Sequence, residues 1–583
     1  MEFEQKAEEK KMSMSKNIAR LAVTAGLTAA LSFGGVMAPV TMAFAEGATA
    51  PNNSITITQS EGNASTQFKA YQIFEADVVD ESGKTDKVVS NVKWAFDNVE
   101  AQNAIIAAIK ADSKYEASNP KLPEPTTAQD VADWLTKNVT GTTAGTVVNK
   151  DHLLNKIAAI VKEDVGATGS SFSAGDSFTV PTDNKNSPKT GYYLFLTDES
   201  SLSTSEAAKK NTGTSPIFAV VGGRSVTVAE KTSIPTVNKE VFEGAKWGNV
   251  SDSYIGEEVE YKLTGSVASN IDTFTKYEYT FQDHLSAGLK ANQNTVKVTI
   301  DGTAIQPSDG YKVNLADTMD ASGSPTGAHD LTISFSDLKA AANAVGVTLR
   351  GNSKVVVTYK AELTEKAEYT AAGNTNVVKL VYSNDPMSNG TGTSESKKVA
   401  DYVFGFDVTK IDPKNSSAKL DAGFTVKMIK EGSDKSVEKW LKRDGSFSND
   451  VNDAYTFETT EAGNKVSIPG LVAGTYLISE SKTPAGYNTI ADFKITVAPE
   501  YNTDGTLEEL NVTSNSSMAT PKTDKNVTTT KIPVTIQNKK GSGLPLTGLN
   551  GVTFTWIAGG AVLCIGVAQL IRSRKQAEES EQE

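Results

Sequence analysis

The 583-residue sequence contains a single cysteine, Cys564, which lies inside an apolar run near the C-terminus. No thiol precedes that run, so disulfides and cysteine-ligated metal sites are excluded from the rest of the chain. That larger part of the chain must therefore be stabilised by some means other than disulfide bonds.

Positive charge and histidine are also scarce. The chain has 57 lysines and arginines against 70 acidic residues, a net charge of −13, and no basic stretch that could neutralise phosphates. This balance argues against nucleic acid as a partner. The three histidines, His152, His284 and His329, are scattered, and there is no nucleophile elbow, phosphate-binding loop or metal-ligand cluster. We therefore expect no metal, no cofactor and no turnover enzyme.

The first apolar run lies near the N-terminus. Lys16 and Arg20 precede apolar residues 21–40, and Ala43-Phe44-Ala45 follows as a small-x-small cleavage site. This order is typical of a secretory signal peptide, here residues 1–45. Met12 and Met14 are alternative start sites. An exported chain without disulfides needs another source of conformational stability.

The second apolar run, residues 552–571, is followed by Arg572, Arg574 and Lys575. About 20 apolar residues are long enough to span a bilayer, and a short basic tail stays on the cytoplasmic side. The motif Leu544-Pro545-Leu546-Thr547-Gly548 stands just before this predicted span, on a Gly/Ser lead.

The order of motif, span and basic tail resembles the cell-wall sorting signal of Gram-positive surface proteins, here residues 541–583. The resemblance implies that a sortase cysteine attacks the carbonyl between Thr547 and Gly548 and passes the Thr547 carboxyl to an amine, with Leu544 and Pro545 as part of the recognised motif. A simple single-pass anchor with a chance motif is the alternative.

The sequence between the two apolar runs is dominated by short alternating strands with turn signals every few residues. This pattern predicts an all-β chain of three tandem immunoglobulin-like β-sandwich domains. The predicted domains are residues 46–232, 233–400 and 401–540. Helical spacing of apolar residues within 99–164 adds a helical insertion to the first domain.

Three polar side chains of the third domain point to its apolar face. Lys410 shares a strand face with Phe404, Phe406 and Val408, because alternate residues lie on the same face. Asn538 and Glu480 end similar apolar faces on two other strands. Burial favours a neutral amine and a neutral carboxyl, the forms needed for Lys410 to attack the Asn538 carbonyl with Glu480 as proton shuttle. Fraying strand ends that carry all three into solvent are the alternative.

A family resemblance favours the buried, reactive arrangement of these three residues over frayed strand ends. Residues 474–480 and 483–487 look like the E-box of collagen-adhesin B-type domains, and residues 408–412 fit the first strand of those domains. The resemblance implies a self-generated Lys410–Asn538 isopeptide bond with Glu480 as helper.

The middle domain repeats the pattern. Lys239 shares a face with Val237 and Val241, Asn384 follows an apolar face, and Asp283 ends another. Residues 279–289 resemble the central domain of sortase-assembled shaft pilins, in which an Asp replaces the Glu. We therefore predict a Lys239–Asn384 bond with Asp283 as helper.

The first domain departs from this pattern. Residues 191–194 resemble the start of the E-box, but Thr197 stands where the acid is expected, and no Asn ends the last strand. We predict no isopeptide bond here, with Lys69 as a relic.

A polymer also needs an acceptor amine. Residues 226–231 resemble a degraded form of the lysine motif of shaft pilins, with two valines and Lys231 retained. Strand alternation turns Lys231 away from Val226 and Val228, so it is predicted to be exposed. The alternative acceptors are Lys209, Lys210 and Lys246.

Together these resemblances, to sortase-assembled pilins with collagen-adhesin A/B-type domains, imply the major subunit of a pilus anchored to peptidoglycan at the cell surface. The implied partners are a class C-type pilus sortase, a housekeeping sortase, identical subunits, ancillary pilins, peptidoglycan and a host surface ligand. A wall-anchored adhesin, or a minor pilin at the tip or base, is the alternative.

Overall fold

A computed structural model describes residues 51–541, apart from 61–62, 64–65, 81–86, 140–149, 203–210, 416, 461–462 and 523–526. The predicted signal peptide, Lys209, Lys210, the motif at 544–548 and the second apolar run lie outside the described residues. Within the described part, no helix is long and apolar enough to cross a membrane.

In its described residues, the N-terminal domain combines two small sheets with three α-helices. Its strands are β1 (Ser54–Thr58), β2 (Gln67–Asp80), β3 (Lys87–Trp94), β4 (Phe172–Ser173), β5 (Ser177–Thr179), β6 (Gly191–Thr197), β7 (Ile217–Val221) and β8 (Val226–Ala229). Its helices are α1 (Val99–Lys110), α2 (Ala128–Val139) and α3 (Leu153–Asp164). One sheet has the order β5-β1-β8, and the other has the order β3-β2-β6-β7, with β4 on β2.

The helices form where the sequence supplies caps and a helical apolar stripe. Asn98 caps α1 by accepting hydrogen bonds from the next turn, and α1 buries Ala101, Ile105 and Ile109. His152 caps α3 by accepting at Nδ1 from Leu154 N at 3.2 Å. The three helices share one apolar core with the larger sheet, so the predicted helical insertion is present.

The middle domain is a sandwich of two large sheets. Its strands are β9 (Val237–Glu243), β10 (Lys246–Gly248), β11 (Val250–Asp252), β12 (Glu258–Ser266), β13 (Tyr279–Leu285), β14 (Leu289–Ile300), β15 (Thr303–Ile305), β16 (Tyr311–Met319), β17 (Pro325–Phe335), β18 (Lys354–Leu363), β19 (Asn374–Ser383), β20 (Thr391–Thr393) and β21 (Lys397–Tyr402), with one helix, α4 (Leu338–Ala344). The first sheet has the order β10-β9-β12-β18-β14-β15, and the second has the order β11-β21-β19-β13-β17-β16, with β20 on β19.

The C-terminal domain is a second sandwich. Its strands are β22 (Phe404–Ile411), β23 (Gly423–Glu431), β24 (Lys435–Leu441), β25 (Phe447–Ser448), β26 (Phe457–Glu458), β27 (Lys465–Leu471), β28 (Gly474–Lys482), β29 (Phe493–Tyr501), β30 (Leu507–Ser514), β31 (Ala519–Pro521) and β32 (Lys531–Gln537). One sheet has the order β27-β22-β32-β31, and the other has the order β25-β24-β23-β28-β29-β30, with β26 on β23.

The prediction of an all-β chain with three tandem sandwich domains is confirmed. Inward-facing residues of both sheets form the core of each sandwich, as alternation requires. In the C-terminal domain the first and last strands, β22 and β32, are parallel neighbours. This pairing brings two residues that are far apart in sequence to the same end of one sheet.

Candidate isopeptide sites

The C-terminal site lies where β22 and β32 end together. Lys410 pairs with Ile536 across the parallel ladder, and Asn538 N donates to the Ile411 carbonyl at 3.1 Å. Glu480 comes from β28 in the opposite sheet and completes the group. The side chains of Lys410 and Glu480 are fully buried, and Asn538 is also fully buried, so fraying into solvent is excluded for all three.

The Glu480 carboxyl lies within contact distance of both other functional groups of this site. Lys410 Nζ is 2.9 Å from Glu480 Oε1, and Asn538 Nδ2 donates to Glu480 Oε2 at 3.1 Å. Asn538 Nδ2 also donates to the Asn488 carbonyl at 3.0 Å, while its own Oδ1 has no partner among the described residues. The glutamate therefore bridges the amine and the amide.

Burial sets the charge of the amine. The Lys410 ammonium lies 5.2 Å from the Phe424 ring and away from water. Burial lowers the pKa of Lys410, and the neighbouring Glu480 opposes that shift. The amine is thereby closer to its neutral, nucleophilic form than an exposed lysine is.

The middle site joins the two sheets of its sandwich. Lys239 on β9 reaches across the core to Asp283 on β13, with Nζ 2.6 Å from Oδ1 and 2.7 Å from Oδ2. Both side chains are fully buried. Burial lowers the pKa of Lys239 to about 8, against the opposing effect of Asp283. The sequence prediction that these two residues share the core agrees with this geometry.

Asn384, by contrast, does not reach Lys239. Asp283 pairs with Val378 on β19, and Asn384 lies six residues further along, beyond the end of the strand. At about 3.3 Å per residue, Asn384 lies about 20 Å along the chain from Val378, the residue beside Asp283. Asn384 instead contacts the N-terminal domain, where its Nδ2 donates to the Asn211 carbonyl at 3.2 Å. The predicted pairing of Lys239 with Asn384 is therefore wrong.

The asparagine beside the Lys239–Asp283 pair is Asn376. It is fully buried on β19, two residues from the partner of Asp283 and on the same face. Its Nδ2 donates to the Tyr359 hydroxyl at 2.6 Å, and that hydroxyl is 3.3 Å from Lys239 Nζ. Its Oδ1 has no partner in the described structure. The sequence signal was present, since Asn376 alternates with Val378, Leu380 and Tyr382 in the same strand.

Lys231 is half-buried, which contradicts the prediction that it is exposed. Alternation is correct for the face, because Val226, Val228 and Glu230 are the residues buried in the domain. The middle domain contacts the backbone at this position, where Asn270 donates from Nδ2 to the Lys231 carbonyl at 3.3 Å. Burial lowers the pKa of Lys231 to about 8. The alternative acceptor Lys246 is exposed.

In the N-terminal domain Lys69 has an acid partner that the sequence reading missed. Lys69 Nζ lies 3.1 Å from Asp198 Oδ1, one residue after Thr197. The Lys69 side chain is 41% exposed, so it lacks the dry surroundings of Lys239 and Lys410. This pair is an ordinary surface ion pair.

The described residues contain no group of three or more His, Cys, Asp or Glu side chains that could hold a metal ion. His284 faces outward and lies 2.8 Å from Asp330.

Comparison with known proteins gives one family match and several similar structures. Residues 405–516 match the family model described as the SpaA prealbumin-like fold domain. No curated protein sequence matches the chain. The T6 backbone pilin of serotype M6 Streptococcus pyogenes is 15% identical with a TM-score of 0.45, over 85% of this chain and 100% of that chain.

Two other solved structures are similar to the chain. The major pilin SpaA of Corynebacterium diphtheriae is 15% identical with a TM-score of 0.43, over 84% of this chain and 100% of that chain. The group B streptococcus pilus 2b backbone protein is 21% identical with a TM-score of 0.35, over 53% and 99%. The segment that carries Lys410 and Glu480 is thus similar to the SpaA prealbumin-like domain.

Proposed function

We propose that this chain is the major structural subunit of a covalent surface pilus, linked by a sortase and locked internally by two Lys–Asn amides. The observation that supports this best is the pair of dry lysine–carboxyl–asparagine groups, one in each of the last two domains. Burying an ammonium is costly, so two such burials call for a role beyond packing.

The chemistry within each group is an amide exchange. The neutral lysine amine attacks the asparagine side-chain carbonyl, the carboxyl moves the proton, and ammonia leaves. Lys410 attacks Asn538 with Glu480 as helper, and Lys239 attacks Asn376 with Asp283 as helper. An amide is a weak electrophile, so the fixed geometry of the core supplies much of the rate.

Such bonds replace the missing disulfides. The C-terminal bond would tie the two parallel strands β22 and β32 and close a loop of about 128 residues (538 − 410). The middle bond would tie the two sheets of the sandwich and close about 137 residues (376 − 239). In the chain-entropy view each closure stabilises its domain by about 5 kcal/mol.

Polymerisation needs one electrophile and one amine per subunit. Thr547 of the sorting motif supplies the acyl group, as its resemblance to wall-anchored proteins implies. Lys231 supplies the amine, and a pKa of about 8 leaves a larger neutral fraction at pH 7 than an exposed lysine has. The terminal subunit is then passed to peptidoglycan, which anchors the fibre to the wall.

The polymer is tested by separating wall extracts of the producing cell in SDS. Wild type is expected to give a high-molecular-weight ladder, and Lys231→Ala is expected to give monomer. Lys246→Ala is the matched control, because Lys246 is an exposed lysine just beyond the same domain boundary. A single anchored band from wild type would contradict a shaft subunit and favour an adhesin. A ladder that survives Lys231→Ala would exclude Lys231 as the acceptor.

The internal bonds have a separate test. Each ammonia lost lowers the intact mass by about 17 Da, so two bonds lower it by about 34 Da. A mass equal to that of the plain sequence would contradict both bonds.

A further inference from the structure

The Tyr359 hydroxyl occupies the centre of the middle site. It donates to Asp283 Oδ2 at 2.6 Å, accepts from Asn376 Nδ2 at 2.6 Å and lies 3.3 Å from Lys239 Nζ. A hydroxyl has one proton and two lone pairs, so all of its hydrogen-bonding capacity is directed at these three groups. Tyr359 itself is 1% exposed.

The two sites differ in how the carboxyl reaches the asparagine. In the C-terminal site Glu480 contacts Lys410 with one oxygen and Asn538 with the other. In the middle site both oxygens of Asp283 are engaged with Lys239. Aspartate is one methylene shorter than glutamate, and the Tyr359 hydroxyl is the atom that connects Asp283 to Asn376.

We propose that Tyr359 is a catalytic residue of amide formation in the middle domain, relaying a proton from Asp283 to the leaving nitrogen of Asn376. This inference rests on the proposed function of the same site. Tyr359 thereby joins Lys239, Asp283 and Asn376 as the fourth member of the middle site.

Amide formation at the middle site moves protons among Lys239, Asp283 and Tyr359. Proton transfer within the ion pair gives a neutral Lys239 amine and a protonated Asp283. The amine nitrogen forms a bond to the side-chain carbonyl carbon of Asn376, whose oxygen becomes an oxyanion. In this tetrahedral intermediate Nδ2 has become an amine with a free lone pair. The Tyr359 hydroxyl donates its proton to Nδ2 and takes one from Asp283. The oxyanion re-forms the C=O bond as the C–N bond breaks and ammonia leaves, and the Lys239 nitrogen gives its extra proton to the Asp283 carboxylate.

The surroundings keep the phenol able to donate. Burial raises the pKa of Tyr359 well above its usual value, and the adjacent Asp283 carboxyl raises it further. The hydroxyl therefore stays protonated, and it can pass one proton on only while it receives another. A relay needs this property.

Tyr261 provides a matched control. It is fully buried, its ring stacks on the Tyr359 ring with centroids 5.4 Å apart, and it also lies 5.4 Å from Lys239 Nζ. Its hydroxyl has no hydrogen-bond partner in the described structure. Tyr261→Phe thus removes one hydroxyl from the same stacked pair of rings and leaves the hydrogen bonds of the Tyr359 hydroxyl in place.

The experiment follows cross-linking in the full-length chain after a pulse of synthesis. Samples are denatured at intervals and digested, and the joined Lys239–Asn376 and Lys410–Asn538 peptides are quantified by mass spectrometry. Tyr359→Phe is expected to slow the first cross-link about 100-fold, the scale of one positioned acid–base group. The second cross-link in the same molecules, and both cross-links in Tyr261→Phe, are expected to form at the wild-type rate.

A second variant separates a relay from a packing role. Adding Asp283→Glu to Tyr359→Phe gives a carboxyl long enough to reach Asn376 directly, as Glu480 reaches Asn538, and is expected to restore much of the rate. Equal rates for Tyr359→Phe and Tyr261→Phe would overturn the relay while leaving the proposed function intact. A wild-type chain that never forms the Lys239–Asn376 peptide would overturn both.

Discussion

At the scale of single residues, two asparagines eight positions apart have opposite surroundings. Asn376 lies next to the Lys239–Asp283 pair, and Asn384 lies at the joint with the N-terminal domain. Asn376→Ala is expected to remove one ammonia loss, so that the intact chain loses about 17 Da instead of about 34 Da. Asn384→Ala is the control and is expected to keep both losses.

The measurement is the intact mass of each full-length variant relative to its own sequence. Loss of one bond in Asn384→Ala, with both retained in Asn376→Ala, would contradict the geometry of the middle site. Digestion would show in either case which lysine had reacted.

The two sites illustrate what alternation along a strand can and cannot predict. It correctly turned Lys410, Glu480 and Asn538 inward, and their strands happen to meet at one end of the domain. It also placed Lys239 and Asp283 in the core. It could not select between Asn376 and Asn384, because that choice depends on the register between β13 and β19, which the face of a residue does not encode.

At the scale of elements, the last strand of the middle domain, β21, bears a buried aspartate close to the point where the chain enters β22. Asp401 is 1% exposed, and its Oδ1 accepts from Ser251 and Ser253 at 2.9 Å each. Its Oδ2 has no partner among the described residues. Burial raises the pKa of Asp401 to about 7, against the opposing serine hydrogen bonds and with a further rise from Glu257.

This raised pKa makes stability depend on pH. The folded state binds the Asp401 proton more tightly than the unfolded state, so the contribution of Asp401 to the free energy of unfolding is largest below pH 4 and falls as pH rises towards 7. From pH 5 to pH 8 this contribution falls by about 2–3 kcal/mol. For a pKa of about 7, each pH unit between 5 and 7 lowers it by about 1.4 kcal/mol. Asp401→Asn keeps the serine contacts at Oδ1 and is expected to remove the part of the pH dependence that Asp401 contributes.

Calorimetry of both proteins at pH 5 and pH 8 measures the effect. Wild type is expected to melt at a lower temperature at pH 8 than at pH 5, and the difference is expected to be smaller in Asp401→Asn. Burial also raises the pKa values of Glu243, Asp252 and Glu257 to about 7, and these groups account for the slope that remains. Identical pH profiles for the two proteins would contradict the assignment to Asp401.

At the scale of the whole molecule, the joint between the first two domains contacts the backbone of the proposed acceptor lysine, Lys231. Gly213 N donates to the Asn384 carbonyl at 2.5 Å, and two residues later Ser215 N donates to the Lys231 carbonyl at 3.0 Å. Residues 213–215 therefore contact both the middle domain and the backbone of Lys231. Sequence alternation could not reveal these contacts, because they depend on how two domains meet.

Gly213→Ala tests whether that joint controls access to Lys231. An added Cβ would lie 2.8 Å from Asp385 Oδ1 and 3.0 Å from Asp385 Cβ, and Asp385 is 2% exposed and cannot move aside freely. Such overpacking costs about 1–3 kcal/mol. A loss of 1–2 kcal/mol from the closed joint raises the open population about 5- to 30-fold.

The readout is the rate at which an amine-reactive ester modifies Lys231, followed by peptide mass spectrometry. Gly213→Ala is expected to speed this modification several-fold and to leave the rate at exposed Lys246 unchanged. Gly166→Ala is the control, since an added Cβ there meets nothing within 4 Å. If Lys231 reacted at the same rate in both variants, the joint would not be what shields it, and access by a sortase acyl-enzyme would not require the two domains to separate.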